Sequence, residues 1–139
     1  MIARMIAVLI MLVTLASINL PSAHAAVEPI VAADSFFSAL NAGDDQAAVA
    51  AFSSDAVASL SRGETYSGQA DLASLVQVMN HPGRRYQIVA SQAQGEALTL
   101  SVEVSDHGIR WGEATIVVEA QAGKLHTFRE TAFRLRLPS

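Results

Sequence analysis

Between residues 98 and 105 the chain alternates strictly, Leu98, Leu100, Val102 and Val104 interleaving with Thr99, Ser101, Glu103 and Ser105. A period of two marks a strand with one dry and one wet face, because successive side chains leave a pleated backbone on opposite sides. Three turns, Gln94-Gly95-Glu96, Asp106-His107-Gly108 and Gln121-Ala122-Gly123, each place a glycine between apolar runs, as hairpin connections require. Residues Tyr86 to Leu137 are therefore expected to form four strands folded back and forth as a half-buried antiparallel sheet.

Upstream the period changes to that of a helix. Ile30, Ala33, Phe37 and Leu40 form one stripe over Val27 to Asn41, with Asp34, Ser38 and Asn41 on the other side, Pro29 in the first turn and Asn41-Ala42-Gly43 as the stop. Asp44 then suits an N-cap, with Asp45 in the first turn and Ala48, Val49 and Phe52 as the buried side of a short second helix; capping accounts for both aspartates without chemistry. Ala56 to Leu60 and Glu64 to Tyr66 flank Ser61-Arg62-Gly63 as a small hairpin. Ser67-Gly68 opens a third helix, Leu72, Leu75, Val76 and Met79 sharing one face, which Asn80-His81-Pro82-Gly83 ends. The order is helix, helix, short strands, helix, meander, an α+β chain in one domain.

Composition alters this picture mainly at the start. Of the 139 residues 51% are hydrophobic and only 16% charged, and the excess is concentrated in Met5 to Ile18, an uncharged run preceded by Arg4 and followed by Ala23-His24-Ala25. Basic start, apolar centre and small-x-small end are the layout of a secretory signal, and the run is shorter than the roughly 20 residues of a bilayer span. Residues 1–25 are expected to be cleaved, leaving a domain at 26–139 that is exported, periplasmic or secreted, and has no membrane attachment. The net charge of −4 argues against nucleic acid as a partner. Without cysteine, the chain has no disulfide, thiol nucleophile or thiolate metal site, so packing alone must stabilise it.

With Ala39-Leu40-Asn41-Ala42-Gly43-Asp44, Phe52 at the end of the second helix, Ser54-Asp55-Ala56-Val57, Tyr66-Ser67-Gly68 and Ala122-Gly123-Lys124-Leu125, the order of elements resembles the SnoaL-like branch of the nuclear transport factor 2 superfamily. The resemblance spans Ala26 to Leu137. It implies a cone, a strongly curved antiparallel sheet wrapped around a long N-terminal helix, three helices in all, with a cavity between sheet and helix. Members include ketosteroid isomerases, polyketide cyclases, scytalone dehydratase and limonene epoxide hydrolase, so the fold does not select an activity. By the order of motifs the isomerase tyrosine corresponds to Phe36, its base falls at or beside Leu60 and its protonated acid near Thr115. All three polar groups are missing, which excludes steroid isomerisation on these residues.

The remaining candidates are few. In the last strand His126, Phe128, Glu130 and Ala132 alternate with Leu125, Thr127, Arg129, Thr131 and Phe133, and the resemblance implies that the first set faces the cavity. There Glu130 would be a carboxylate in an apolar pocket, suited to general acid or base work, with Tyr66 or His126 as partner; pairing with Arg110 or Arg129, or simple exposure, is its ordinary alternative. Phe36, Leu100, Val102, Trp111 and Phe128 would complete the wall, with Tyr66 near its mouth able to donate to a ligand carbonyl, although a lone strand tryptophan is more often core or a dimer contact, and either face of its strand can be the inner one. His81 and His107 sit in turns, and the histidines lack metal-ligand spacing, so no metal or other cofactor is expected. Arg84-Arg85 and the pair Arg134 and Arg136 read as a solvated rim or cross-strand partners. No serine-nucleophile elbow or glycine-rich phosphate loop is present. Three functions compete: a module holding a small apolar molecule, a cofactor-free lyase, isomerase or hydrolase using Glu130, and a homodimer built on the outer sheet face of Thr127, Arg129, Thr131 and Phe133.

Overall fold

A computed structural model describes the backbone of residues 20–136 and the side chains of residues 28–136. Most of the expected signal segment 1–25, and Leu137 of the expected last strand, lie outside the described residues. The elements are α1 (Leu20–Ala42), α2 (Asp45–Ala50), β1 (Phe52–Ser59), β2 (Thr65–Ser67), α3 (Gln69–Met79), β3 (Arg84–Gln94), β4 (Ala97–Asp106), β5 (Ile109–Gln121) and β6 (Lys124–Leu135). The three helices and the four-strand meander agree with the expected order. No described helix is long and apolar enough to cross a membrane.

Two helix details depart from expectation. α1 already includes Leu20, the first described residue, so Pro29 lies inside the helix rather than in its first turn; the alanine-rich stretch before the proline favours helix. Asn41 is half-buried instead of solvated: its Oδ1 accepts from Tyr86 N and its Nδ2 donates to Tyr86 O, both at 2.8 Å. β3 is an edge strand, and this side-chain amide occupies its free backbone groups as a neighbouring strand would. Asp44 caps α2 by accepting from Ala47 N at 3.1 Å.

The strands form one six-stranded, unclosed, curved sheet in the order β2-β1-β6-β5-β4-β3. It is mixed rather than purely antiparallel, because β1 lies parallel to β6, Phe52 opposite Leu125 and Val57 opposite Thr127. β2, α3 and the first three strands of the meander separate the two in sequence, well beyond the dozen or so residues that a parallel crossover needs. The meander turns are as expected; Ala122 and Gly123, at φ 52° and 77°, make the doubly left-handed pair that a two-residue hairpin demands.

The row Leu98, Leu100, Val102 and Val104 is buried, and so are Ala114, Ile116 and Val118 opposite it on β5. α1 covers this concave face with Ala32, Ala33, Phe36, Phe37 and Leu40, and α3 adds Leu72, Leu75, Val76 and Met79. Bulges bend the sheet and switch its alternation. On β6 the pairing skips His126 and Thr131, so Leu125, Phe128, Glu130 and Phe133 face inward, opposite Ala120, Val118, Ile116 and Ala114. The expected inward set of His126, Phe128, Glu130 and Ala132 is thus half right, and Phe133 is not on the outer face.

Candidate functional site

At its closed end the concave face is filled by four rings. Phe36 meets Phe37, Phe52 and Phe128 edge-on at 5.1, 5.0 and 5.5 Å between centroids. Phe36, Leu100, Val102 and Phe128, expected as cavity walls, are all at most 1% exposed and belong to this packed core. The position that corresponds to the isomerase tyrosine is therefore the centre of an aromatic plug.

At the other end the same face carries polar groups. Arg84 and Tyr86 of β3, Asp106 of β4, Trp111 of β5, and Glu130 and Phe133 of β6 stand on it, all half-buried. The bulge in the β4–β5 pairing skips Trp111, whose partners would otherwise be on β4, and this takes its ring off the outward row of Glu113, Thr115 and Val117. The indole packs at 5.3 Å against Phe133 and under the Arg84 guanidinium, 4.9 Å from the ring centre. Phe133 can lie there because the strand beneath it has Gly112: a Cβ at that position would meet the ring at 2.4 Å.

Arg84 is not the solvated rim charge expected from sequence. Its Nη2 donates to Asp106 Oδ2 at 3.2 Å. Burial alone would lower the guanidinium pKa, but Asp106 and the neighbouring Tyr86 outweigh it and hold it above the usual value. Tyr86 donates its hydroxyl to Met79 O at 2.8 Å and stacks obliquely on Phe37, joining the two ends of the face. Burial raises its pKa; Arg84 opposes this, and the charges of Asp106 and Glu130 add to it. Arg84 Nε and Trp111 Nε1 are buried donors with no acceptor among the described residues, an arrangement that costs about 1–3 kcal/mol per group unless something supplies the missing bond.

Glu130 is inward-facing, as expected, but it is neither in a dry pocket nor paired with arginine. Its Oε1 accepts from Ser61 N at 3.2 Å and Ser61 Oγ at 2.7 Å, while Arg110 is engaged by Glu103 at 2.9 Å on the outer face. Tyr66 does not reach Glu130; it donates to Glu64 Oε2 at 2.9 Å, a bond that, followed by burial and the charges of Glu64 and Asp71, raises its pKa. His126 is elsewhere, bulged outward beside Ser53 Oγ at 3.3 Å and Asp55 Oδ1 at 3.5 Å. Serine, histidine and aspartate together suggest a nucleophile triad, but both contacts fall on the same nitrogen, Nδ1, and a relay needs one on each. Among the described residues no three potential metal ligands converge.

The sequence reading missed Arg84, Tyr86, Asp106 and Phe133. Tyr86 and Arg84 share the alternation that places Ile88 inward, and that signal was available; the bulges that bring in Trp111 and Phe133 leave no mark in the pattern.

No curated protein matches the chain. Among solved structures it is similar to an LEH-like epoxide hydrolase of M. tuberculosis, at 23% identity over 76% of this chain and 82% of that one, with a TM-score of 0.62. It is similar also to a protein of ketosteroid isomerase-like fold from Catenulispora acidiphila DSM 44928, solved with trimethylamine, at 10% identity over 71% and 82% and a TM-score of 0.63. A third is an NTF-2 like protein of unknown function from Burkholderia xenovorans LB400, at 20% identity over 78% and 82% and a TM-score of 0.59. At these identities the likeness shows the fold and leaves the activity open. The family model described as the SnoaL-like domain matches residues 33–133, from the buried face of α1 to Phe133 at the open end, and the chain belongs to that family.

Proposed function

We propose that the protein is an exported module that binds a small, largely apolar molecule at the open end of its concave sheet. The observation that carries this is the change in lining along one face: the phenylalanine plug stops, and half-buried Tyr86, Trp111 and Phe133 continue the aromatic surface to the outside. Aromatic walls with a few fixed polar groups are the usual make-up of a small-molecule site. Trp111 is the sole tryptophan, so its emission reports this place alone. Titration with methylcyclohexane should shift that emission saturably, and Phe133→Ala should weaken the response at least tenfold. A flat titration ends the reading.

Export rests on the layout of residues 1–25. Cleavage after Ala25 leaves Glu28, whose carboxylate accepts from Gly123 N, so the mature helix keeps its tie to the β5–β6 turn. Mass spectrometry of protein recovered outside the cytoplasm should give a chain beginning at Ala26; an uncleaved chain refutes it.

A second reading, a cofactor-free enzyme with Glu130 as base, is favoured by one fact: this inward carboxylate acts on Tyr86 electrostatically and is held by Ser61 alone among the described residues. Glu130→Gln should then abolish turnover of a carbonyl substrate while changing the melting temperature little; retained turnover removes Glu130 from the chemistry.

A further inference from the structure

Arg84 Nε and Trp111 Nε1 are the two buried side-chain donors left without a partner among the described residues, and they are neighbours, one group stacked on the other. Neither can satisfy the other, since guanidinium and indole nitrogens only donate. What completes the pair is an acceptor from outside. Building on the binding reading above, we propose that the molecule held at the open end is neutral, with an apolar body and one acceptor oxygen, such as a ketone, ester or lactone, and that this oxygen accepts from Arg84 Nε and Trp111 Nε1.

The surrounding charges decide that the acceptor is neutral. Asp106 already lies 3.2 Å from the Arg84 guanidinium, and Glu130 is close enough to act on Tyr86. A carboxylate ligand would have to compete with Asp106 for the guanidinium that this carboxylate already neutralises, so its Coulomb gain there is small. A cationic ligand would have to displace Arg84 from the indole face it already covers at 4.9 Å. A carbonyl oxygen carries no net charge to be repelled and still accepts two hydrogen bonds. The body of the ligand faces Tyr86, Phe133 and the indole ring, which offer mostly hydrocarbon. The Arg84 side chain is one-fifth exposed, and on this proposal the guanidinium slides along the indole, with Nη2 on Asp106, to open the two donors to the ligand.

Four probes of one shape test this: cyclohexyl methyl ketone, cyclohexanecarboxylate, cyclohexylmethylammonium and ethylcyclohexane, with affinities from ligand-observed NMR and the single indole N–H resonance followed in the protein. The ketone should bind at least tenfold tighter than the other three and alone move the indole N–H downfield. Trp111→Phe and Arg84→Lys, the latter keeping the charge opposite Asp106 while removing Nε, should each bring the ketone down to the level of the hydrocarbon. Hydrocarbon binding equal to ketone binding, or tighter binding of either charged probe, overturns the proposal while leaving the binding site in place. If none of the four binds, the site itself is refuted and the proposal with it.

Discussion

At the closed end of the concave face Phe36 touches three other rings, and the buried set there contains no polar side chain. At the open end, on the same strands, two rings lie 5.3 Å apart beside an ion pair, a hydrogen-bonded carboxylate and two orphaned donors. Bulges interrupt the pairing towards both ends; a second difference lies in what α1 brings to the face. Where α1 supplies Phe36 and Phe37, burial is complete and every contact is dispersion and hydrophobic gain. Beyond Asn41 the helix has ended, the face is only half covered, and polar groups can persist there because water or a ligand remains within reach. Stability is thus concentrated at one end and unmet bonding capacity at the other.

The largest expected effect breaks the closed end. Phe36→Ala should cost about 3–5 kcal/mol in urea unfolding, the range for truncating a fully buried ring. Because Phe36 is linked to the open end through Phe37 and Tyr86 rather than by its own ring contacts, Trp111 emission in the folded fraction should change little. A loss below about 1 kcal/mol accompanied by a shifted emission would show that the two ends are one mobile unit.

How much of this contrast the chain announces differs between the ends. The alternation at 98–105, the stripe of Leu72, Leu75, Val76 and Met79, and the Asp44 cap are local signals, and each matches the structure. Glu130 is inward as the resemblance implied, but the simple alternation around it does not hold: two bulges, at His126 and Thr131, reset the β6 alternation on either side of it. A bulge adds one residue to one strand and inverts everything beyond it, and neither composition nor period reveals that. For the same reason Trp111 could not be assigned a face. The parallel contact of β1 with β6 is a pairing across most of the domain, and local patterns carry no information about it.

Asn41 sits at the boundary, its amide holding both backbone groups of Tyr86 at 2.8 Å. Asn41→Ala removes both bonds and leaves a part-buried N–H and C=O without a partner, so a loss of about 1–3 kcal/mol is expected. Hydrogen exchange sharpens the comparison. The Tyr86 amide should exchange markedly faster in the variant, while amides opposite the plug, such as that of Val118, slow or quicken only with global stability. If the Tyr86 amide keeps its protection, Asn41 does not join the ends.

The smallest expected effect is the most specific. Tyr86→Phe keeps the ring against Phe37 and removes only the hydroxyl that donates to Met79 O, a change of about 0.5–1.5 kcal/mol at neutral pH. The hydroxyl's pKa is raised in the folded protein, first by burial and then by the charges of Asp106 and Glu130 against the opposing Arg84. A folded pKa above the unfolded value of about 10 means that the folded state holds its proton more tightly. This contribution is therefore complete below the unfolded pKa and is lost as the pH climbs through the folded one. The stability gap between the natural protein and Tyr86→Phe should be constant from pH 7 to about pH 9 and should narrow above about pH 10. Tyr66, whose pKa is also raised, titrates in both proteins and cancels from the difference. A gap that widens in alkali would mean that the tyrosinate is stabilised by Arg84 more than burial penalises it, and the open end would then be an anion site rather than a neutral one.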